Sequence, residues 1–235
     1  MRFLILPLFF LIFPFQASAA IAFGAISSVS TSQTPTSVAV SGTDTIGFVY
    51  VVGDDSADNI TAVTWDGVSM TKVNVVRTPS DRYGSVWYVV NPASSAAISF
   101  TGGSFWRSYS FYYTGASQTG QVDSSNTNTS SANAAISVST TVVAENSWYV
   151  MVQKDSTGGQ TYTPSGVLAS MRANADAGGI AIADSNAVVA TGAQSGTLTA
   201  AGSTNHGGIA FSFKPVEVVS ASFSILGLVR SWWIW

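Results

Sequence analysis

The chain has 235 residues, of which 9% are charged, and it carries a formal net charge of −3 and no cysteine. The absence of a basic cluster argues against nucleic-acid binding, because phosphate neutralisation supplies most of that affinity. Without cysteine the chain forms no disulfide and offers no thiolate, so its stability depends on a packed core. Aromatic residues, 12% of the chain, are spread along its length and argue against disorder.

Residues 1–19 have the order of a secretory signal peptide. Arg2 precedes an apolar run from Phe3 to Phe15, and Ala17-Ser18-Ala19 follows it. The run is shorter than the ~20 residues that a membrane-spanning helix needs. We therefore expect cleavage after Ala19 and export to an extracellular, cell-surface or particle-surface location. An uncleaved N-terminal anchor is the alternative.

Residues 20–215 show period-two alternation and little helical periodicity, which predicts one domain of short strands. The clearest element is a hairpin over residues 60–78, whose Asp66-Gly67 dipeptide suits a tight type I′ turn. The other strands predicted in the first half of the chain cover residues 37–42, 46–52, 84–92, 96–103 and 105–113.

In the second half, residues 121–134 are rich in Ser, Asn and Thr without an apolar period, which predicts a low-complexity loop. Residues 165–177 are the one stretch with a helix-compatible pattern. About a dozen strands at roughly ten-residue spacing indicate an all-β fold, an antiparallel two-sheet β-sandwich. The strands predicted in this half cover residues 135–143, 147–154, 178–184, 195–200 and 207–215.

The order of these features resembles a family of secreted or virion-associated β-sandwich domains of about 200 residues, uncharacterised in function and found in bacterial and phage sequences. The resemblance implies a jelly-roll, concanavalin-like sandwich whose role is binding or display. It implies no catalytic residues, because the family has no established active site. The matching stretches are residues 60–73, 85–94, 110–125, 140–152 and 206–215.

A cluster of oxygen-bearing side chains between two predicted strands is a candidate calcium site. Hard oxygen ligands in a flexible loop suit Ca²⁺, although the spacing is not that of an EF-hand. An ordinary Asp-rich turn is the alternative, in which case the protein needs no cofactor. The cluster comprises Asp54, Asp55, Asp58 and Asn59.

Exposed aromatic residues are the candidate ligand-binding groups, because the C–H faces of sugars stack on Trp and Tyr rings. In the strand over residues 105–113, Trp106 and Tyr112 lie on the face opposite Phe105 and Phe111. We therefore predict Trp106 and Tyr112 as an exposed glycan-binding pair. Packing in the core is the alternative for any one of these rings.

No catalytic motif stands out, and we predict a protein that is not an enzyme. His206 is the only histidine, no G-x-S-x-G elbow is present, and a turn histidine is the favoured interpretation. Glu145 and Glu217 are the only glutamates, so the opposed carboxylates of a glycoside hydrolase would include aspartates. A hydrolase stays open as an alternative.

Residues 216–235 form a hydrophobic tail that ends with Trp232, Trp233 and Trp235. Trp favours the membrane interface, and β-branched residues suit an added strand. The tail is therefore expected to enter a membrane, dock on a partner subunit or pack on its own domain. The predicted function is an exported, non-catalytic sandwich displayed on a cell or particle surface, with a glycan as candidate ligand. The alternative is a structural virion or surface-layer subunit that assembles through this tail.

Overall fold

The computed structural model describes residues 20–31, 35–53, 57–80, 82–103, 107–174 and 178–217. Within these ranges the chain forms fourteen β-strands and no helix. Every pair of neighbouring strands is antiparallel. The all-β, antiparallel prediction is confirmed.

Two sheets are built from the first half of the chain. The strands are β1 (Ala22–Ile26), β2 (Ile46–Gly53), β3 (Ala62–Trp65), β4 (Val68–Ser69), β5 (Thr71–Arg77), β6 (Tyr83–Val90), β7 (Ile98–Thr101) and β8 (Arg107–Thr114). A five-stranded sheet, called here the first sheet, has the order β1-β8-β2-β6-β5. A small sheet has the order β4-β3-β7, and its β3–β4 turn places Asp66 and Gly67 at positive φ, as predicted. The predicted hairpin over residues 60–78 is wrong beyond this turn, because the rest of its second arm is β5, which pairs with β6 in the first sheet.

The second half of the chain forms the second sheet. Its strands are β9 (Val122–Val142), β10 (Trp148–Asp155), β11 (Tyr162–Gly166), β12 (Ser170–Ala173), β13 (Ile180–Asp184) and β14 (Gly192–Phe213). The order is β11-β14-β10-β13-β12, with β9 paired to β14. Strands β9 and β14 have 21 and 22 residues, long enough to take part in two layers.

The central core lies between the first and second sheets, which makes the fold a β-sandwich. Phe48 of β2 is stacked on Phe111 of the neighbouring strand, and its ring centroid is 4.9 Å from that of Phe211 in the opposite sheet. All three rings are fully buried. A jelly roll joins its strands as two Greek keys, and that connection order is not confirmed.

Each large sheet is also covered on its outer face. The small sheet packs over the first sheet, so that Trp65 contacts a layer containing Trp87 and Tyr112. The outer halves of β9 and β14 cover the second sheet, where Ile136 and Leu198 pack with Tyr149. These additional layers decide which side chains remain exposed.

Two predicted local elements are wrong, and the one helix-compatible stretch is not helical. Residues 37–42 form no strand, because Val38 instead packs on the first sheet and its carbonyl accepts a bond from the Ser95 amide. Residues 165–177 contain no helix in their described part, which holds the end of β11 and β12. Residues 121–134, predicted as a loop, belong almost entirely to β9, and their pairing with the apolar end of β14 explains the difference.

Candidate functional site

Strand β9 folds back over itself, and this bend creates a groove on the surface. Residues 122–130 pair with residues 206–213 of β14, whereas residues 135–142 pair with residues 192–199. The register shifts between Thr199 and Thr204 and again between Thr204 and His206. The ribbon of β9 and β14 therefore bends near residues 131–134 and its outer half lies on the second sheet.

Two asparagine side chains hold the halves of β9 together. Asn126 donates from Nδ2 to the Ser139 carbonyl and Asn128 to the Ser137 carbonyl, both at 2.8 Å. Their Oδ1 atoms accept the backbone N–H groups of the residues that follow, Thr127 and Thr129, both at 2.9 Å. Each carboxamide thus takes the place of a peptide group between the two halves of β9. It donates to one backbone carbonyl and accepts from one backbone N–H group.

A groove lies between the two halves of β9. It is open to solvent and offers about 380 Å³ of space to water-sized molecules, which is within the usual size range of ligand sites. None of the described residues that line it is charged, and all but one carry a side-chain hydroxyl or amide. They are Ser124, Ser125, Asn126, Ser139, Thr140, Thr141 and Ala193.

The groove continues into a flat surface of hydroxyl groups, called here the Ser/Thr face. Its cross-strand neighbours include Ser137 and Thr197, whose hydroxyl oxygens are 2.6 Å apart. Most of its members are exposed, because the opposite side of the same strands supplies the core under them. The face comprises Ser137, Ser139 and Thr141 of β9, Ser195, Thr197 and Thr199 of β14, and Thr163 and Ser165 of β11.

Asp123 precedes Ser124 of the groove wall, and hydrogen bonds hold both of its carboxylate oxygens. Oδ2 accepts the backbone N–H groups of Val143 and Ala144 at 3.2 and 2.9 Å. Oδ1 accepts the Ser212 hydroxyl, and Ser212 is 2.8 Å from the hydroxyl of Ser124 in the groove wall. The Asp123 carboxylate is therefore engaged in structural bonds, and the described lining of the groove presents neutral donors and acceptors.

The predicted aromatic pair does not form an exposed platform. Tyr112 is buried, with 4% of its surface exposed, and its hydroxyl is 3.2 Å from that of Ser41. The predicted exposure of Tyr112 is wrong because the small sheet and the segment containing Val38 cover that face of β8. Trp106 lies outside the described residues.

The candidate calcium cluster is only partly described. Asp54 and Asp55 lie outside the described residues, so the calcium prediction stays a prediction. Asp58 forms a 2.6 Å ion pair with Lys72, which also donates to the Ile60 carbonyl. Asn59 lies beside Gly102, its carbonyl oxygen 2.4 Å from where a Cβ of that glycine would be. Among the described residues, no three metal-ligating side chains converge.

His206 is a buried residue of β14, so the prediction of a turn histidine is wrong. Its Nε2 donates to the Asn133 carbonyl at 2.9 Å, and its Nδ1 is 3.0 Å from Oε1 of Gln153. Burial lowers the pKa of the imidazole. The ring holds the bend of β9 against β10, which is a structural role.

Asp155 is the centre of another buried polar group. Its carboxylate accepts the Tyr162 hydroxyl and the backbone N–H groups of Thr157 and Gly158, at 2.8 and 2.6 Å for the two amides. Burial and the neighbouring carboxylate raise the pKa of Tyr162. Tyr162 therefore remains a neutral donor, and the arrangement fixes the loop after β10 rather than opening a cleft.

The C-terminal aromatic residues Trp232, Trp233 and Trp235 and the signal peptide lie outside the described residues. In the part of the chain that is described, no helix is long and apolar enough to cross a membrane. Comparisons with protein-family models, curated proteins and solved structures find no match for this sequence.

The groove was not predicted because one of its walls, formed by Ser124, Ser125 and Asn126, belongs to the stretch 121–134 that was expected to be a loop. One signal could have identified it: in the stretch Asn126-Thr127-Asn128-Thr129, asparagine and threonine alternate with a period of two. That is the side-chain period of a strand, carried by polar instead of apolar residues.

Proposed function

We propose that this protein is an exported, non-catalytic β-sandwich, displayed on a cell or particle surface, that binds a neutral polysaccharide in the groove of β9. The observation that carries the proposal is the groove itself, lined by hydroxyl and amide groups without a charged side chain. Sugar hydroxyls both donate and accept hydrogen bonds, and Ser, Thr and Asn side chains offer both functions in return.

The adjoining Ser/Thr face supports a polymer over a small sugar. Neighbouring strands lie about 4.8 Å apart, and residues on one side of a strand repeat every ~6.7 Å. An extended, neutral chain can meet several of these groups in succession. The absence of charge on the groove wall favours a neutral over an acidic polysaccharide, since desolvation of a carboxylate would find no compensating cation.

Binding through hydroxyls alone is weak at one site. Each hydrogen bond to the sugar replaces bonds to water, so its net contribution to the binding free energy is only about 0.5–1.5 kcal/mol. No aromatic ring lines the described groove to add stacking energy. Display of many copies on one surface compensates for the weak affinity of a single groove. Once one copy has bound the polymer, binding by a second copy is intramolecular, and the avidity rises by about 10²–10⁴. This requirement is consistent with a surface-displayed protein.

Affinity electrophoresis tests the proposal. Native gels containing dextran, a β-1,3-glucan or hydroxyethyl cellulose should retard the protein, whereas alginate, an anionic polymer, should not. The double variant Ser139→Ala, Thr141→Val removes two exposed groove hydroxyls with little change in shape and should abolish most of the retardation. Thr101→Val is the matched control, because Thr101 is exposed on β7 in the layer on the other side of the molecule.

The result with the variants distinguishes the groove from other surfaces. Unchanged migration in all three neutral polymers would contradict the proposal. Retardation that survives the double substitution would also contradict it, since the binding surface would then lie elsewhere.

A further inference from the structure

A row of three hydroxyl groups, called here the hydroxyl relay, connects the groove to the carboxylate of Asp123. Ser212, a fully buried residue of β14, donates its hydroxyl hydrogen to Oδ1 of Asp123. The Ser212 oxygen lies 2.8 Å from that of Ser124, and the Thr140 hydroxyl lies 3.0 Å from the same Ser124 oxygen. Ser124 and Thr140 line the groove on opposite halves of β9. The relay therefore runs from the groove wall to a carboxylate that is not part of the described lining.

The carboxylate fixes the direction of every bond in the relay. A carboxylate oxygen accepts hydrogen bonds, and a serine or threonine hydroxyl has one hydrogen to donate. Because Ser212 gives its hydrogen to Asp123, the bond between Ser212 and Ser124 is donated by Ser124. Ser124 has no second hydrogen, so Thr140 donates to Ser124, in agreement with the geometry of that bond. All three hydrogens are therefore engaged within the protein, and none of them is available to a ligand.

Asp123 is held in its accepting role by the backbone. Its other oxygen, Oδ2, accepts the N–H groups of Val143 and Ala144, and a backbone N–H group cannot act as an acceptor. A hydrogen bond to a charged acceptor is roughly twice as strong as one between neutral groups. Successive bonds in a chain also polarise one another. The observed direction of the relay is therefore strongly favoured over the reverse direction.

A further hydroxyl of the groove wall is oriented in the same sense by separate contacts. Ser125 donates to the Val73 carbonyl at 3.4 Å and accepts a hydrogen bond from Nδ2 of Asn74 at 3.2 Å. Its hydrogen is therefore also engaged within the protein. Ser124 and Ser125 are both half-buried, so a ligand in the groove can reach their oxygen atoms.

We propose that the hydroxyls of Ser124, Ser125 and Thr140 form an acceptor wall, which selects ligands by the hydrogen-bond donors that they present. Asp123 sets this preference through Ser212. The inference rests on the proposed function and narrows its ligand to a neutral polysaccharide whose hydroxyls are free. A free hydroxyl donates its hydrogen to an oxygen of the acceptor wall. An ether oxygen has only lone pairs, so it loses its bonds to water there without gaining a donor.

O-methylation of the polysaccharide should therefore weaken binding without abolishing it. The exposed hydroxyls of Ser139 and Thr141 can rotate to donate to an ether oxygen, whereas the acceptor wall cannot. Losing the hydrogen bonds to the acceptor wall should weaken the affinity about tenfold.

Affinity electrophoresis with matched polymers tests this preference on the full-length chain. The probes are dextran, a β-1,3-glucan and hydroxyethyl cellulose, each compared with its O-methylated derivative. We expect the unmodified form to be bound about tenfold more tightly than the methylated form. Equal affinity for the two forms, or tighter binding of the methylated form, would overturn the inference and leave the proposed function intact. Retardation by neither form would contradict both.

Two substitutions test the relay through the ratio of the two affinities, which a loss of stability alone does not change. Ser212→Ala removes the acceptor of the Ser124 hydrogen, which can then turn to the ligand, so the ratio should fall to about twofold. Asp123→Asn presents an amide nitrogen to Ser212 and reverses the relay, so the ratio should fall here as well. Ser110→Ala is the matched control, because Ser110 is a buried serine of the first sheet that donates to the Thr36 carbonyl.

The control variant should keep the tenfold ratio of the unsubstituted chain. An unchanged ratio in both relay variants would overturn the role of the carboxylate. The comparison of polymers on the unsubstituted chain does not depend on the folding of any variant, so the preference itself is tested in either case.

Discussion

The hydroxyl of Tyr113 donates a 2.8 Å hydrogen bond to Oδ2 of Asp184 across the space between the two large sheets. Asp184 is fully buried and is also bound by the guanidinium of Arg172, at 2.7 and 2.9 Å. The same guanidinium lies 4.1 Å from the ring centroid of Phe23 in β1. Burial and the adjacent carboxylate raise the pKa of Tyr113 well above its ordinary value, so the tyrosine stays a neutral donor. This group connects the two sheets by polar bonds beside the aromatic core.

Replacing Tyr113 by Phe should lower the free energy of unfolding by about 1.5–3 kcal/mol, because a buried carboxylate loses a hydrogen bond. Urea denaturation measures the change. Tyr88→Phe is the matched control, since Tyr88 is a half-buried tyrosine of the same sheet. Equal losses for the two variants would show that the bond to Asp184 contributes nothing.

Removing the cation from this group should lower the free energy of unfolding more than Tyr113→Phe does. Arg172→Met leaves Asp184 buried without its ion pair, and a loss of about 3–5 kcal/mol is expected. Adding Asp184→Asn removes the uncompensated charge, so the double variant should be less destabilised than the sum of the single variants. A double-mutant cycle from urea denaturation provides the coupling energy. If the effects of the two substitutions on the free energy of unfolding simply added, Arg172 and Asp184 would not be energetically coupled, which would contradict a stabilising ion pair.

His206 should make the fold sensitive to acid. Its pKa in the folded protein is lowered by burial, so in the folded state it binds a proton less readily than in the unfolded state. The free energy of unfolding should therefore decrease as the pH falls below about 6.5, the usual value for histidine, and continue to decrease until the pH passes the folded-state pKa. Thermal unfolding of His206→Gln should show a flatter dependence over this window. Because the chain contains one histidine, an unchanged slope in the variant would contradict this assignment.

The asparagine bridges should stabilise the bend of β9. Asn128→Ala removes the bonds to Ser137 and Thr129 and should lower the free energy of unfolding by about 1 kcal/mol. Amide hydrogen exchange at Thr129 should accelerate in the variant, because its acceptor is lost. Ser131→Ala, an exposed change near the bend, serves as control. Unchanged exchange at Thr129 would show that water replaces the carboxamide without cost.

Regular alternation and turn chemistry made much of the fold predictable. Residues 46–52 and 147–154 were predicted as strands and are observed as β2 and β10, because apolar runs of this length fit a buried strand. Asp66-Gly67 forms the predicted tight turn, since both residues adopt the positive φ that this dipeptide tolerates. Apolar runs and turn dipeptides depend only on neighbouring residues, so they can be recognised in a single sequence.

Long-range pairing could not be predicted from the sequence. Nothing in the polar stretch 121–134 specifies that it pairs with the apolar end of β14, yet this pairing makes it a strand and creates the groove. The predicted strand 195–200 and residues 207–213 of the predicted strand 207–215 are parts of the single strand β14, which bends instead of turning. Tyr112 was assigned to an exposed face because alternation describes one sheet and does not show that another layer covers it.

The most direct test of the proposed function is an NMR titration of the isotope-labelled protein with a soluble neutral oligosaccharide of the class that retards it in gels. Binding in the groove predicts that the largest amide shifts fall in residues 123–128 and 137–142, the two halves of β9. Smaller shifts are expected in residues 192–199 of β14, which form the neighbouring part of the Ser/Thr face. Shifts centred on the small sheet, or no shift at saturating oligosaccharide, would contradict the account.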